Sequence, residues 1–259
     1  MNKKYELTDE TKEIGGITLH RIRALRNIPR YGVKSGDLGG WIEAESNLSQ
    51  DDDAWVSDDA RVYGNAVVCG DARVYGDAWV YGDARVYGDA LVNGNAVVCG
   101  DARVYGDARV YGDAKVYGDA RVYGDAWVCG NAWVYGNARV YCNAQVSGNA
   151  VVCVNARICG EALVNGNAEV SGNAEVKSIR DYAMFKNGWS SGRWFTYTRS
   201  NRMWRVGCFY GTGEELIAKA YKDSELSGKC YEAIVRAQEA IDRAIDGCVI
   251  TTNAIRKAR

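Results

Sequence analysis

Proline occurs once in the 259 residues and histidine once, at His20. A chain with a single proline has few irregular connections of the kind that proline punctuates. A single histidine removes the commonest general base and the commonest metal ligand from most of the chain. The nine cysteines form no Cys-x-x-Cys pair, so a structural zinc site has no ligand set. Net charge is also missing. Lys and Arg number 32 against 33 Asp and Glu, which argues against a wholly basic nucleic-acid binder and against an acidic mimic. No apolar run approaches a membrane span, and the start, MNKKYELTDE, lacks the apolar core of a signal peptide. These absences give the expectation of a cytoplasmic protein with reduced thiols and no membrane contact.

Glycine, at 30 residues, is abundant. Much of it falls in one repeat. From Val56 to Glu175 the chain divides into 20 hexads without insertion, of consensus V-Y-G-D-A-R. The first position is Val except at Ile158, and the fifth is always Ala. The third is Gly except at Asp58, Cys142 and Val154. A period of six fits no helix. It fits a short strand, whose side chains alternate in and out, followed by a corner where Gly supplies positive φ. One hexad buries almost nothing, so the units must stack.

The run Val62, Ala66, Val68, Ala72, Val74, Ala78 resembles the hexapeptide-repeat proteins. That resemblance implies a mainly β fold, a left-handed parallel β-helix. The aliphatic and small residues point inward, and three hexads form each turn of a triangular prism. Twenty hexads then make six to seven coils. The segments Tyr5-Glu6-Leu7, Gly39-Gly40-Trp41 and Leu48-Ser49-Gln50 extend the likeness to bacterial and prophage hexapeptide proteins of the YdcK type, which are often labelled acyltransferases on the repeat alone. The stretch Trp204 to Leu216 is similar to a small module at the ends of phage accessory proteins.

Three domains are expected: a β cap over residues 1–47, the coils over 48–176 and a small α+β module over 177–259. Lys4–Leu7 and Ile17–Leu25 read as strands, and residues 29 and 35–40 as loops. In the module, Asn187-Gly188 reads as a hairpin turn. Arg193–Thr198 and Met203–Tyr210 read as a second hairpin. Thr212 with Glu215 makes a capping box for a helix over Glu214–Tyr221. Lys229–Ile245 reads as an amphipathic helix with Ile234, Ala237, Ile241 and Ile245 on one face.

A turn of three hexads converts a spacing of 18 residues into vertical columns. One face carries Arg85, Arg103, Arg121, Arg139 and Arg157 beside Tyr87, Tyr105, Tyr123 and Tyr141. Guanidinium binds anions and Tyr stacks on bases, so the ladder is a candidate anion or nucleotide surface. Its bland alternative is a solvated face neutralised by Asp corners. Those corners become Asn137 and Asn155 beside Arg139 and Arg157. This makes Arg139, Arg157, Tyr141 and Arg121 the leading ligand or partner residues. In the module, Arg193, Arg202 and Trp204 join them, because residues 177–210 mix seven basic residues with many aromatics. The alternative there is a small aromatic core whose charges are balanced by acidic helices. A second face, with Trp79, Tyr81, Trp133 and Tyr135, is the candidate homo-oligomer interface together with Ile234 and Ile241. The third face has no theme.

A hexapeptide acyltransferase uses a His near its coils, and this chain has none there, so no catalytic residue, metal or cofactor is expected. Ice binding would require flat Thr-rich columns, which these are not. The expected function is therefore that of a non-enzymatic phage or prophage accessory binding protein. It would present rigid faces to a bacterial host protein or an anionic ligand, with inhibition of a defence system implied by the resemblance alone. A structural scaffold is the alternative, and nucleotide or nucleic acid an alternative ligand.

Overall fold

The computed structural model describes residues 3–257, with side chains through residue 247. It divides into two compact units, residues 1–179 and 180–259.

The first unit is a β-solenoid. Twenty-one short strands, from Trp55–Val56 to Glu175–Val176, distribute in turn over three parallel sheets with seven of them in each. Strands 18 residues apart pair in register, as in Arg61↔Trp79 with Val62↔Val80, and Val97↔Lys115 with Val98↔Val116. Every first-position Val and every fifth-position Ala of the hexads is buried, Val62, Val80, Val98, Val116 and Val134 among them. The corners explain the third position. All 20 third-position residues have positive φ, and Asp58, Cys142 and Val154 take φ of 58°, 59° and 65° where their neighbours have Gly. The backbone thus imposes one geometry whatever the side chain. For a β-branched residue this is a strained conformation. Val154→Gly should therefore stabilise the solenoid by about 1 kcal/mol, read as a higher urea midpoint; an unchanged or lower midpoint would show that the corner holds no strain.

The N-terminal segment completes this unit and closes one end. Tyr5–Ile14 and Ile17–Ala24 form an antiparallel hairpin. Ile17–Ala24 then pairs with Leu38–Ile42, which continues in parallel onto the hexad strand Arg61–Val62. The first strand runs on past Leu7 to Ile14, because Thr11–Ile14 pair with Ile17–His20 across the hairpin. The expected loop at 35–40 is in part a strand. Gly39 and Gly40 serve close approach there: a Cβ on Gly39 would lie 2.5 Å from Ile22 Cγ1, and one on Gly40 2.7 Å from Ala60 O. Open backbone groups find side-chain partners, which removes a free sheet edge. Asn47 donates to the Gly64 and Ala66 carbonyls at 2.9 Å. Carboxylates of Glu43, Asp52 and Asp58 accept from the first corner amides, Gly64, Gly70 and Gly76. The buried Lys4 ammonium donates to Ala54 O at 2.7 Å.

The second unit is a four-stranded antiparallel sheet with two helices, α1 (Gly213–Asp223) and α2 (Glu225–Lys257). The expected capping box is present, with Thr212 and Glu215 each bonding the other's backbone amide. The Asn187-Gly188 turn is not. The buried Asn187 side chain instead accepts from Trp189 N and Ser190 N and holds a longer loop between Tyr182–Lys186 and Trp194–Thr198. The expected strand Met203–Tyr210 folds back at Gly207, at φ 55°, so that Val206 pairs with Phe209. The core is Phe195, Tyr197, Trp204, Val206, Leu216, Ile217 and Val235.

Candidate functional site

The Arg column is a real ladder. Arg85, Arg103, Arg121, Arg139 and Arg157 pair rung to rung in register on one sheet. Four are exposed and Arg121 is half-buried. Beside them Tyr87, Tyr105, Tyr123 and Tyr141 stack with centroids 4.8, 4.9 and 5.0 Å apart and planes within 4° of parallel. That spacing measures the rise per rung, so five guanidiniums follow one another at the strand repeat.

The charge balance of this face differs from the sequence expectation. Among the described residues, no ladder Arg forms an ion pair within 4.0 Å, whereas Arg21, Arg23, Arg26 and Arg30 of the N-terminal segment are all paired with carboxylates. Among the described residues the corner Asp side chains form no ion pair with a ladder Arg. Where they are partnered within the coils, they bond along their own column, as Asn65 to Asp83 at 3.0 Å and Asn95 to Asp113 at 2.9 Å. Off the ladder, Arg61, Arg73 and Arg109 lie over Trp79, Tyr75 and Trp127. Among the described residues the ladder guanidiniums have no such contact. Like charges at this spacing repel by about 1 kcal/mol per neighbouring pair even in a water-like dielectric, which a bound anion would reverse.

The tyrosines act differently from the base-stacking role that their sequence suggests. The inner rings Tyr105 and Tyr123 are covered on both faces and the end rings Tyr87 and Tyr141 on one, so a base has no gap between rings to enter. They present phenol edges. Hydrogen bonding to the sulfur of the cysteine one rung on, then burial, pushes Tyr81, Tyr111 and Tyr141 up to about 12, the sulfurs being Cys99, Cys129 and Cys159. Burial raises Tyr87 and Tyr123 as well. Tyr87, Tyr123 and Tyr141 are therefore neutral at physiological pH and do not oppose an anion. A folded-state pKa above the unfolded value of 10.0 favours the folded form below pH 10, and this contribution is lost as pH rises through about 12. Thermal midpoints should accordingly fall between pH 10 and about 12 in step with phenolate absorbance. Phenols that all ionise at 10 without loss of stability would contradict this coupling.

The second face pairs as expected, with Trp79 and Tyr81 one rung above Arg61 and Tyr63, and Trp133 and Tyr135 above Lys115 and Tyr117. Its apolar character is weaker than the sequence suggests. Arg61 lies 4.9 Å from the Trp79 ring and Lys115 5.0 Å from that of Trp133, so both indoles are partly covered by cations. Trp133 remains 42% exposed.

In the C-terminal unit the aromatic-core alternative describes the strands better than a binding platform does. Trp204 is 2% exposed and packs on Phe195 and Tyr197, which makes it a core residue rather than an open stacking platform. Arg199 pairs with Asp242 and Asp246 of α2. Arg202 borders a pocket of about 240 Å³ in which Arg202 and Arg243 face three carboxylates, those of Glu239, Asp242 and Asp246, a net acidic lining that disfavours an anion. Arg193 is exposed and packs along Gly207. On α2, Val235 and Gln238 are buried, while Ile234 only packs against the core edge and Ile241 is 48% exposed. The buried stripe is thus turned from the expected Ile234–Ile241 face, because Gln238 bonds Asp242 at 3.0 Å and Asp242 receives the Tyr197 hydroxyl.

His20 lies in the N-terminal hairpin with Nδ1 3.3 Å from Thr8 O. Among the described residues no group of three His, Cys, Asp or Glu side chains gathers as a metal site, and no described helix is long and apolar enough to cross a membrane.

What sequence reading missed is a groove of about 370 Å³ at the C-terminal end of the ladder, lined by Asn137, Arg139, Asn155, Arg157, Asn173 and Glu175. The change of corner residue from Asp to Asn was its visible signal. No curated protein matches the chain. The family model of the YdcK beta solenoid repeat matches residues 54–70, 68–82, 84–100, 102–116 and 114–130. With the stacked parallel sheets, this similarity identifies the chain as a β-solenoid repeat protein.

Proposed function

We propose that the protein is a non-enzymatic binding protein whose Arg–Tyr face engages an anionic ligand or the acidic surface of a partner. The observation that carries the reading is the row of five guanidiniums without an ion pair among the described residues, on a chain whose N-terminal Arg21, Arg23, Arg26 and Arg30 are all paired. The solenoid core holds the row at a fixed spacing, so little side-chain order has to be gained on binding beyond the guanidiniums themselves. The resemblance to phage and prophage accessory proteins makes a bacterial host protein the expected partner and a defence system the expected context. Charge reversal at Arg103 and Arg121 tests the reading. Partner retained from host lysate by the wild type should be lost by that variant, and undiminished retention would sink it.

A further inference from the structure

Resting on that reading, we infer that the groove at the end of the ladder is a site for a single phosphoryl group, carried as a phosphate monoester.

Four observations meet there. The first is the cavity itself, with Arg139 and Arg157 on adjacent rungs. The second is the absence, among the described residues, of an ion pair at either guanidinium, although Glu175 lines the same groove and pairs instead with Lys177. The third is a replacement of charge without change of shape. Down the column the corners beside Arg85, Arg103 and Arg121 are Asp83, Asp101 and Asp119, and beside Arg139 and Arg157 they are Asn137 and Asn155. Asn is close to isosteric with Asp but carries amide donors in place of a carboxylate. The corner amides bond each other along the column, Asn137 to Asn155 at 3.3 Å and Asn155 to Asn173 at 3.2 Å. Each such bond uses one N–H, and an amide nitrogen has two. The fourth is backbone strain. Val154, at φ 65° and 49% exposed, directly precedes Asn155, and its carbonyl accepts from Asn137 N at 2.7 Å. A strained corner at the central amide of a cavity is the sort of feature that accumulates at ligand sites.

The chemistry selects the ligand. Two guanidiniums match the charge of a phosphate monoester, about −1.5 to −2, better than the single charge of a carboxylate. Their planar forks and the amide N–H groups suit its three terminal oxygens. A polyanion running up the ladder is opposed, because the next rung after Arg157 is Glu175, itself paired with Lys177 at 3.2 Å. On the other side the rung before Arg139 is Arg121, whose corner is Asp119, so carboxylates flank the two-arginine segment in both directions and it takes one group.

The test is calorimetric titration of the full chain with inorganic phosphate and, separately, acetate. Phosphate should bind the wild type and acetate should bind at least about tenfold more weakly. Asn155→Asp restores the carboxylate of the lower rungs and should weaken phosphate about tenfold or more. Arg139→Gln with Arg157→Gln should abolish it, and Arg109→Gln on another face should not change it. Circular dichroism checks that each variant keeps its fold. Equal binding of acetate, or phosphate binding unchanged in Asn155→Asp or in the double variant, would overturn the inference, as would no phosphate binding by the wild type. Each of these results would leave the ladder reading standing if Arg103→Glu with Arg121→Glu still loses the partner. Phosphate bound in the groove by a protein whose partner ignores that charge reversal would leave the inference standing and the reading refuted.

Discussion

Ala84→Leu should cost the solenoid about 3 kcal/mol or more and leave a broadened, less cooperative unfolding transition. Ala84 is fully buried, and its carbonyl accepts from Val67 N while Arg85 N donates to Ala102 O, so the rungs on either side are fixed one strand repeat away. The same column holds Ala66, Ala102, Ala120, Ala138, Ala156 and Ala174, all buried. A larger residue has no free volume above or below it. Leu48, at the terminal rung, bridges to Val68 and so stands in the neighbouring Val column, not in this one. Because each rung contacts only its neighbours, the damage should spread by weakening the stacking of adjacent rungs. Urea unfolding would measure it, and a loss under about 0.5 kcal/mol, typical of an uninvolved surface site, would show that the interior is looser than its burial indicates.

The second large effect concerns recognition. Arg103→Glu with Arg121→Glu should weaken partner binding by about 100-fold or more while stability changes little. Both residues project from the sheet next to buried Val positions, and among the described residues neither makes an ion pair that the substitution would break. Reversal places two carboxylates against the anionic surface that the arginines are proposed to face. Like-charge juxtaposition at an interface costs several kcal/mol, and about 2.7 kcal/mol already corresponds to 100-fold. Normal affinity in a folded variant would mean that the ladder is a solvated face.

The fold was largely legible because each repeat position answers one demand: Val and Ala fill the interior, and Gly takes the positive-φ corner. Even Asp58, Cys142 and Val154 obey the corner, since the stacked units enforce it on three poor formers. Legibility failed where the deciding contact is distant in sequence. Gly39-Gly40 resembles a loop until Ile22 and Ala60 are seen against it. Asn187-Gly188 resembles a tight turn until the Asn187 side chain is found buried inside a longer loop. The helical face around Ile234 and Ile241 is regular in sequence, yet Gln238 and Asp242 turn inward to meet the sheet. At the candidate site the Arg and Tyr columns were readable from spacing alone. Their electrostatics were not, because an Asp two residues before an Arg looks like its partner. In the structure Asp83 is bonded along the corner column instead.

The most direct test of the ladder is the salt dependence of partner affinity. Screening shortens the reach of charge from about 10 Å at 0.1 M salt to about 3 Å at 1 M. If the five ladder guanidiniums carry recognition, wild-type affinity measured across that range should fall steeply, and the Arg103→Glu, Arg121→Glu variant should show neither the affinity nor the slope. Wild-type affinity that holds steady as salt rises would contradict the account and move recognition to the aromatic second face.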